Sequence, residues 1–251
     1  TYTEDDQEHP SITSLKDGGY IVVWEGDKDV NNSTIYGIFA QRYDSNGQPI
    51  GGEVDVFLME DNEAERPSVA SLDDGGFVIV WRNYGIRGVQ SLRYDSDGNQ
   101  VDAAPVTIHT FDNNSPGHPF VDGLVGGGYV VVTGAYDNSI IVKTYDANGG
   151  FIKETEIDDI NGTYKVGVAA LANGGFVVSW DKSDDDRDGV VVNIFDADGE
   201  IEVEKISVNT QTSDNQNAAS ITALENGNQF GFLGAEDLVN LEDPSLIFGG
   251  N

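Results

Sequence analysis

Leu15-Lys16-Asp17-Gly18-Gly19-Tyr20-Ile21-Val22-Val23-Trp24 returns three times: as Leu72-Asp73-Asp74-Gly75-Gly76-Phe77-Val78-Ile79-Val80-Trp81, as Leu124 to Thr133, and as Leu171 to Trp180. A degraded fifth copy runs from Leu224 to Leu233. Asp-Gly or Asn-Gly supplies a positive-φ turn, and the apolar, β-rich run that follows reads as a strand, so each copy is a hairpin. The last residues of successive copies are 57, 52, 47 and 53 positions apart. A period of this size marks a repeat architecture.

Working outward, each repeat holds four strand-like runs. A short first run of small residues (Ser11 to Leu15, Ser68 to Leu72, Val168 to Leu171) precedes the quoted turn. The apolar second run hardly alternates, which implies burial on both faces. A third, alternating run (Ile38 to Tyr43, Val89 to Tyr94) ends in a second repeated turn, Tyr43-Asp44-Ser45-Asn46-Gly47, with counterparts at Tyr94, Tyr145 and Phe195. A short fourth run follows. Four antiparallel strands per unit, repeated about five times, predict an all-β chain forming a single five-bladed β-propeller. The blades are expected at about 10–58, 67–109, 119–158, 166–209 and 219–251, with 1–6 closing the fifth. The sequence starts mid-pattern at Thr1 and so reads as a segment of a longer protein with flanking domains.

Composition narrows the functions available. Of 251 residues, 44 are Asp or Glu against 13 Lys or Arg, a formal net charge of −31. Nucleic acid and anionic membrane both require a cationic face and are not expected partners. With no cysteine there is no disulfide, zinc-thiolate or thiol chemistry. No apolar stretch approaches the ~18–20 residues of a membrane span. The Gly-Gly pairs precede strands, whereas a phosphate-binding loop opens a helix, and no Gly-x-Ser-x-Gly elbow is present. A monomer is expected, and no catalytic residue is assigned.

The repeat resembles units of large secreted bacterial calcium-dependent adhesins and hemolysin-type (RTX) repeat proteins. The matching residues are Gln7 to Pro10, Leu15 to Trp24, Gln41 to Gly47, Gly51 to Val54 and Val208-Asn209-Thr210. The third unit departs by placing Thr133 where Trp is expected, and the fifth departs widely. The resemblance implies a secreted or surface-anchored bacterial module and brings no catalytic motif with it.

Candidate sites follow from what recurs. The residue opening the first strand is His9, Arg66, His118 and Lys165 in four successive units. In a propeller these groups would converge at the channel mouth and attract a carboxylate or sulfate. The plainer reading is that each neutralises a neighbouring acid such as Glu8, Glu65 or Asp122. Trp24, Trp81 and Trp180 end the second strand and could offer flat faces to a sugar; alternatively they fill the gaps between blades. For calcium, the loops carrying Asp184, Asp186 and Asp188, and Asp27 and Asp29, can supply oxygens, though such strings are usually solvated charge. Asp44, Asp95, Asp146 and Asp196 open turns with Asp-x-(Asn/Asp)-Gly spacing but lack a calcium loop's closing Glu, which favours a purely structural turn. The functional expectation is a non-enzymatic, carbohydrate-binding module of an adhesin-like protein. The alternatives are a glycan-cleaving enzyme using channel carboxylates and a structural spacer.

Overall fold

The computed structural model describes residues 6–30, 33–59, 64–112, 116–135, 139–158, 166–183, 188–207, 220–223 and 230–233. Lys165, Asp184 and Asp186 lie outside these residues, as does most of the fifth repeat. The chain divides into two units, Thr1–Val121 and Asp122–Asn251.

Among the described residues all regular structure is β. In the first unit β1 (Gln7–Ser14), β2 (Tyr20–Val30), β3 (Ser33–Tyr43) and β4 (Pro49–Met59) form one sheet in chain order. A second sheet contains β5 (Ala64–Ser71), β6 (Phe77–Asn83), β7 (Gly88–Tyr94) and β8 (Val106–Thr110). The third sheet comprises β9 (Pro116–Gly123), β10 (Tyr129–Ala135), β11 (Ile140–Tyr145) and β12 (Phe151–Ile157). The fourth comprises β13 (Val166–Ala170), β14 (Phe176–Ser183), β15 (Asp188–Phe195) and β16 (Ile201–Ser207). A further pair, β17 (Ser220–Ala223) and β18 (Phe230–Leu233), falls on the fifth repeat. Four sheets of four antiparallel strands, each strand paired with its neighbours in sequence, are consistent with a β-propeller. Among the described residues no helix is long and apolar enough to cross a membrane.

The two glycines of the repeated turn have separate jobs. Gly18 adopts φ +84° so that its N–H can donate to Leu15 C=O (3.0 Å), and Leu15 N–H in turn donates to Gly19 C=O (2.9 Å). Gly19 is required for a different reason: a Cβ there would stand 2.2 Å from the Tyr43 carbonyl oxygen. That approach brings the aromatic after the glycines onto the aromatic ending the third strand. Tyr20 stacks on Tyr43, Phe77 on Tyr94, Tyr129 on Tyr145 and Phe176 on Phe195, with centroids 4.6–4.9 Å apart.

The second turn is closed by its own aspartate. Asp44 Oδ1 accepts from the N–H groups of Asn46 (2.9 Å) and Gln48 (2.8 Å), and Asp95, Asp146 and Asp196 repeat the pattern. These bonds hold Asp44 below the usual carboxylate range, chiefly through Gln48. They do the same for Asp95, where the Asn99 side chain contributes most. The four aspartates are turn residues.

Each unit has its own apolar interior. In the first unit, Ile21 and Val23 of β2, Ile38 of β3 and Val56 of β4 pack with Val69, Phe77, Ile79, Trp81 and Leu92 of the second sheet. In the second unit, Val130, Val132, Ile140 and Val142 pack with Phe176, Val178, Trp180 and Phe195. Every residue of β6 is buried, as the unbroken apolar run predicts. β2 differs: Ile21 and Val23 are buried, while Val22 and Trp24 are only partly so.

Candidate active site

The first strands of the first unit each carry a bulge. In β1 the register shifts between Glu8 and Ser11, and in β5 between Glu65 and Ser68. The displaced residues, His9 (φ 48°) and Arg66 (φ 54°), occupy left-handed backbone, each followed by proline. Proline is tolerated there because a bulge frees it from donating to the ladder. The serines beyond the bulges tie neighbouring first strands together: Val69 N–H donates to Ser11 Oγ and Val121 N–H to Ser68 Oγ, both at 3.3 Å.

Around these bulges lies a cavity of about 310 Å³, lined by Asp6, Glu8, Glu25, Gly26, Asp27, Tyr36, Ala64 and Glu65. Gly26 lets β2 draw against the chain entering β1; a Cβ there would lie 2.7 Å from Gln7 Oε1 and 2.9 Å from Asp6 O. Five of the eight lining residues are carboxylates, and no Lys or Arg lines the cavity.

Glu8 and Glu25 stand directly opposite each other across β1 and β2. Both oxygens of Glu25 are engaged. Oε2 accepts from the Arg66 backbone N–H (2.5 Å), and Oε1 lies 2.8 Å from His9 Nδ1. That histidine contact is a close approach rather than an aligned hydrogen bond, because Nδ1 has no hydrogen-bond partner in suitable geometry. Glu25 is nearly buried and Glu8 is largely exposed. Glu8, His9 and Glu25 each bring a ligand atom within 4.8 Å of the other two. These three could hold a cation, and because one is an imidazole the set suits a transition metal better than calcium. Asp27 Oδ1 is sealed from solvent without a hydrogen-bond partner.

At the equivalent position of the second sheet, Glu65 faces Arg82. The Arg82 guanidinium, 7% exposed, bonds Glu65 Oε2, donates to Pro116 C=O (3.2 Å) and lies over the Tyr84 ring at 4.5 Å. His118 is pushed down to about 4, mainly by burial and then by the positive charges of Arg66, Arg82 and His9. Three of the four repeat positions read from the sequence, His9, Arg66 and His118, therefore converge. The expected ring of positive charge needs one correction: His118 is neutral at pH 7. Arg82, missed in the sequence, takes its place. The signal was available, since the residue after each repeated tryptophan is charged: Glu25, Arg82 and Asp181.

The remaining candidates divide. Trp81 (0% exposed) and Trp180 (2%) are enclosed in the apolar clusters, with indole N–H groups lacking an acceptor, and offer no ring face to a sugar. The gap-filling reading is the one their burial fits. Trp24 is half-buried, stacked on Phe39 at 6.3 Å and bonded through Nε1 to Gln7. Asp27 lines the cavity. Asp29 lies opposite Thr34 in β2 and Asp188 opposite Ser183 in β15; their side chains are outside the described residues. In the second unit Asp122 accepts from the N–H groups of Gly123 (2.9 Å) and Ala170 (2.8 Å), while burial pushes its carboxyl up.

No family model matches the chain, nor does any curated protein. Solved structures do. An exo-β-1,3-galactanase from Clostridium thermocellum matches with TM-score 0.53 at 12% identity, over 90% of this chain and 54% of that one. A variant of the NanB sialidase from Streptococcus pneumoniae matches with TM-score 0.57 at 12% identity, over 94% and 54%. A Hadza microbial sialidase matches with TM-score 0.55 at 13% identity, over 87% and 50%. The chain thus spans about half the length of these proteins. The likeness is one of fold. The structures matched are those of glycan-cleaving enzymes, which corrects the expectation of a non-enzymatic binding module.

Proposed function

We propose that the chain is a glycan-cleaving module whose chemistry resides in the acid-lined cavity of the first unit. The observation that carries this reading is the Glu8–Glu25 pair, whose nearest ligand atoms lie within 4.8 Å at the wall of a cavity of about 310 Å³. Retaining glycosidases hold their carboxyls ~5–5.5 Å apart, whereas inverting ones leave ~6.5–9.5 Å for a water. An oxygen of Glu8 within 4.8 Å of one of Glu25 is compatible with the closer, retaining arrangement. Glu25, oriented at both oxygens, is the nucleophile: its carboxylate bonds to the anomeric carbon as the glycosidic bond breaks. Glu8, open to solvent, donates a proton to the leaving oxygen and then takes one from the water that releases the sugar. Galactose- and sialic-acid-terminated glycans are the substrates to try first, because the matched structures are galactanases and sialidases. A five-bladed ring, a secreted location and calcium in the acidic loops belong to the same proposal.

The test is hydrolysis of fluorogenic β-galactosides and α-sialosides, with the product anomer followed by NMR. Release with retention is expected. Glu25→Gln and Glu8→Gln should each lower kcat by about 10²–10⁴-fold. A folded protein that cleaves neither substrate overturns the reading, and an inverted product removes Glu25 as nucleophile.

A further inference from the structure

The bulge in β1 gives Glu8, His9 and Glu25 an arrangement that an even strand could not. Consecutive residues of a regular strand face opposite ways, so the sheet would part Glu8 from His9. The register shift between Glu8 and Ser11, with His9 at φ 48°, re-aims the imidazole toward Glu25, the residue opposite Glu8. The second sheet supplies a comparison. Its bulge puts Glu65 and Arg66 at the same positions with Arg82 facing Glu65, and a trio with two bases repels a cation.

The distances fit one small ion. His9 Nδ1 lies 2.8 Å from Glu25 Oε1, sealed from solvent and not aligned for a hydrogen bond. That is the spacing of neighbouring ligands on one metal: bonds of ~2.0–2.2 Å set about 90–109° apart leave the ligand atoms ~2.8–3.6 Å from each other. Glu8 Oε2 stands 3.7 Å from the same nitrogen, and this largely exposed side chain can close the small difference. Glu25 Oε2 accepts from the Arg66 N–H and leaves Oε1 for the ion, an outer bond of the kind that orients a ligating carboxylate. Charge favours the ion as well. Glu8 and Glu25 oppose each other in a cavity lined by five carboxylates and no Lys or Arg, a repulsion that a dication relieves.

We infer that Glu8, His9 and Glu25 bind one divalent transition-metal ion of the zinc class, with its remaining position open to the cavity. One imidazole and two carboxylates suit zinc, whereas calcium asks for six to eight oxygens. The ion site needs only these three side chains. Its consequence rests on the glycan-cleaving reading of the same cavity: an ion on Glu8 and Glu25 takes the lone pairs that hydrolysis requires, so metal and sugar compete and zinc inhibits.

The experiment titrates the chelator-treated full chain with Zn²⁺, Ca²⁺ and Mg²⁺ by calorimetry. It is run for wild type, for His9→Asn, since Asn tolerates the left-handed backbone, and for Glu8→Gln, an exposed change that spares the fold. Zn²⁺ should bind wild type at least about 10-fold more tightly than Ca²⁺ or Mg²⁺, and each variant should weaken it by at least about 10-fold. Zn²⁺ should also halt sugar release by wild type, and EDTA should restore it. Zinc affinity unchanged in both variants, or a site sensitive to them that prefers Ca²⁺, overturns the inference and leaves cleavage standing if the chelated chain hydrolyses its substrate. Variant-sensitive zinc binding by a chain that cleaves nothing upholds the ion site and overturns cleavage. Full hydrolysis with zinc bound at this site overturns the inhibition. Neither zinc binding nor hydrolysis overturns both readings.

Discussion

The two sheets of the first unit are built from the same repeat, yet they resolve one register position in opposite ways. In the second sheet Glu65 faces Arg82, an opposite-charge pair that stabilises a ladder, and Trp81 behind it is wholly enclosed. In the first sheet Glu8 faces Glu25, a like-charge pair that destabilises one, and Trp24 is half open. The first sheet meets that conflict with groups borrowed from the bulges, His9 and the Arg66 N–H. One copy of the repeat pairs its opposing charges; the other leaves like charge and space exposed together. Function is best sought in the copy that is incomplete.

That contrast can be broken by mutation. Trp81→Ala should cost about 3–5 kcal/mol in urea unfolding, because it opens a hole in a sealed cluster. Trp24→Ala should cost about 1 kcal/mol. Equal losses would mean that the two sheets are packed alike. Next in size, Arg82→Met should cost about 2 kcal/mol, less than the 3–5 of a fully buried broken pair because Glu65 keeps some solvent. If Arg82→Met is instead neutral, the second sheet does not depend on its charge pair.

The smallest effect expected is a pH dependence. The folded-state value for His118 is depressed to about 4 from 6.5. Between those values the unfolded chain takes up a proton that the folded chain refuses, so stability is full above pH 6.5, falls as pH drops toward 4, and loses nothing further on this account below that. His118→Gln should be flatter than wild type across this window by less than about 1 kcal/mol, since the half-buried ring is partly screened by solvent. Identical slopes would show that neither burial nor the nearby cations depress His118.

The elements were readable because their chemistry is local. Leu15 to Gly19 and Tyr43 to Gly47 close their own hydrogen bonds, so a short window of sequence suffices to name each turn and the strands beside it. The convergence of His9, Arg66 and His118 was readable too, because a repeat places equivalent residues in equivalent places. The Glu8–Glu25 pair was harder: among 44 acids, register decides which two meet, and bulges hidden in Glu8-His9-Pro10 and Glu65-Arg66-Pro67 set that register. Trp81 and Trp180 were ambiguous for a similar reason. A tryptophan at a strand end packs or projects according to what stands opposite, and the sequence does not name its neighbour.

The self-closing aspartate turns also bear on how the chain acquires its structure. Asp44, Asp95, Asp146 and Asp196 need only their own next few amides, and each strand pairs with strands adjacent in sequence. Such short loops close early and with little entropic cost, which favours quick, sheet-by-sheet acquisition of order. A chain emerging residue by residue could therefore complete one sheet before the next is available, with no need to hold distant segments in waiting.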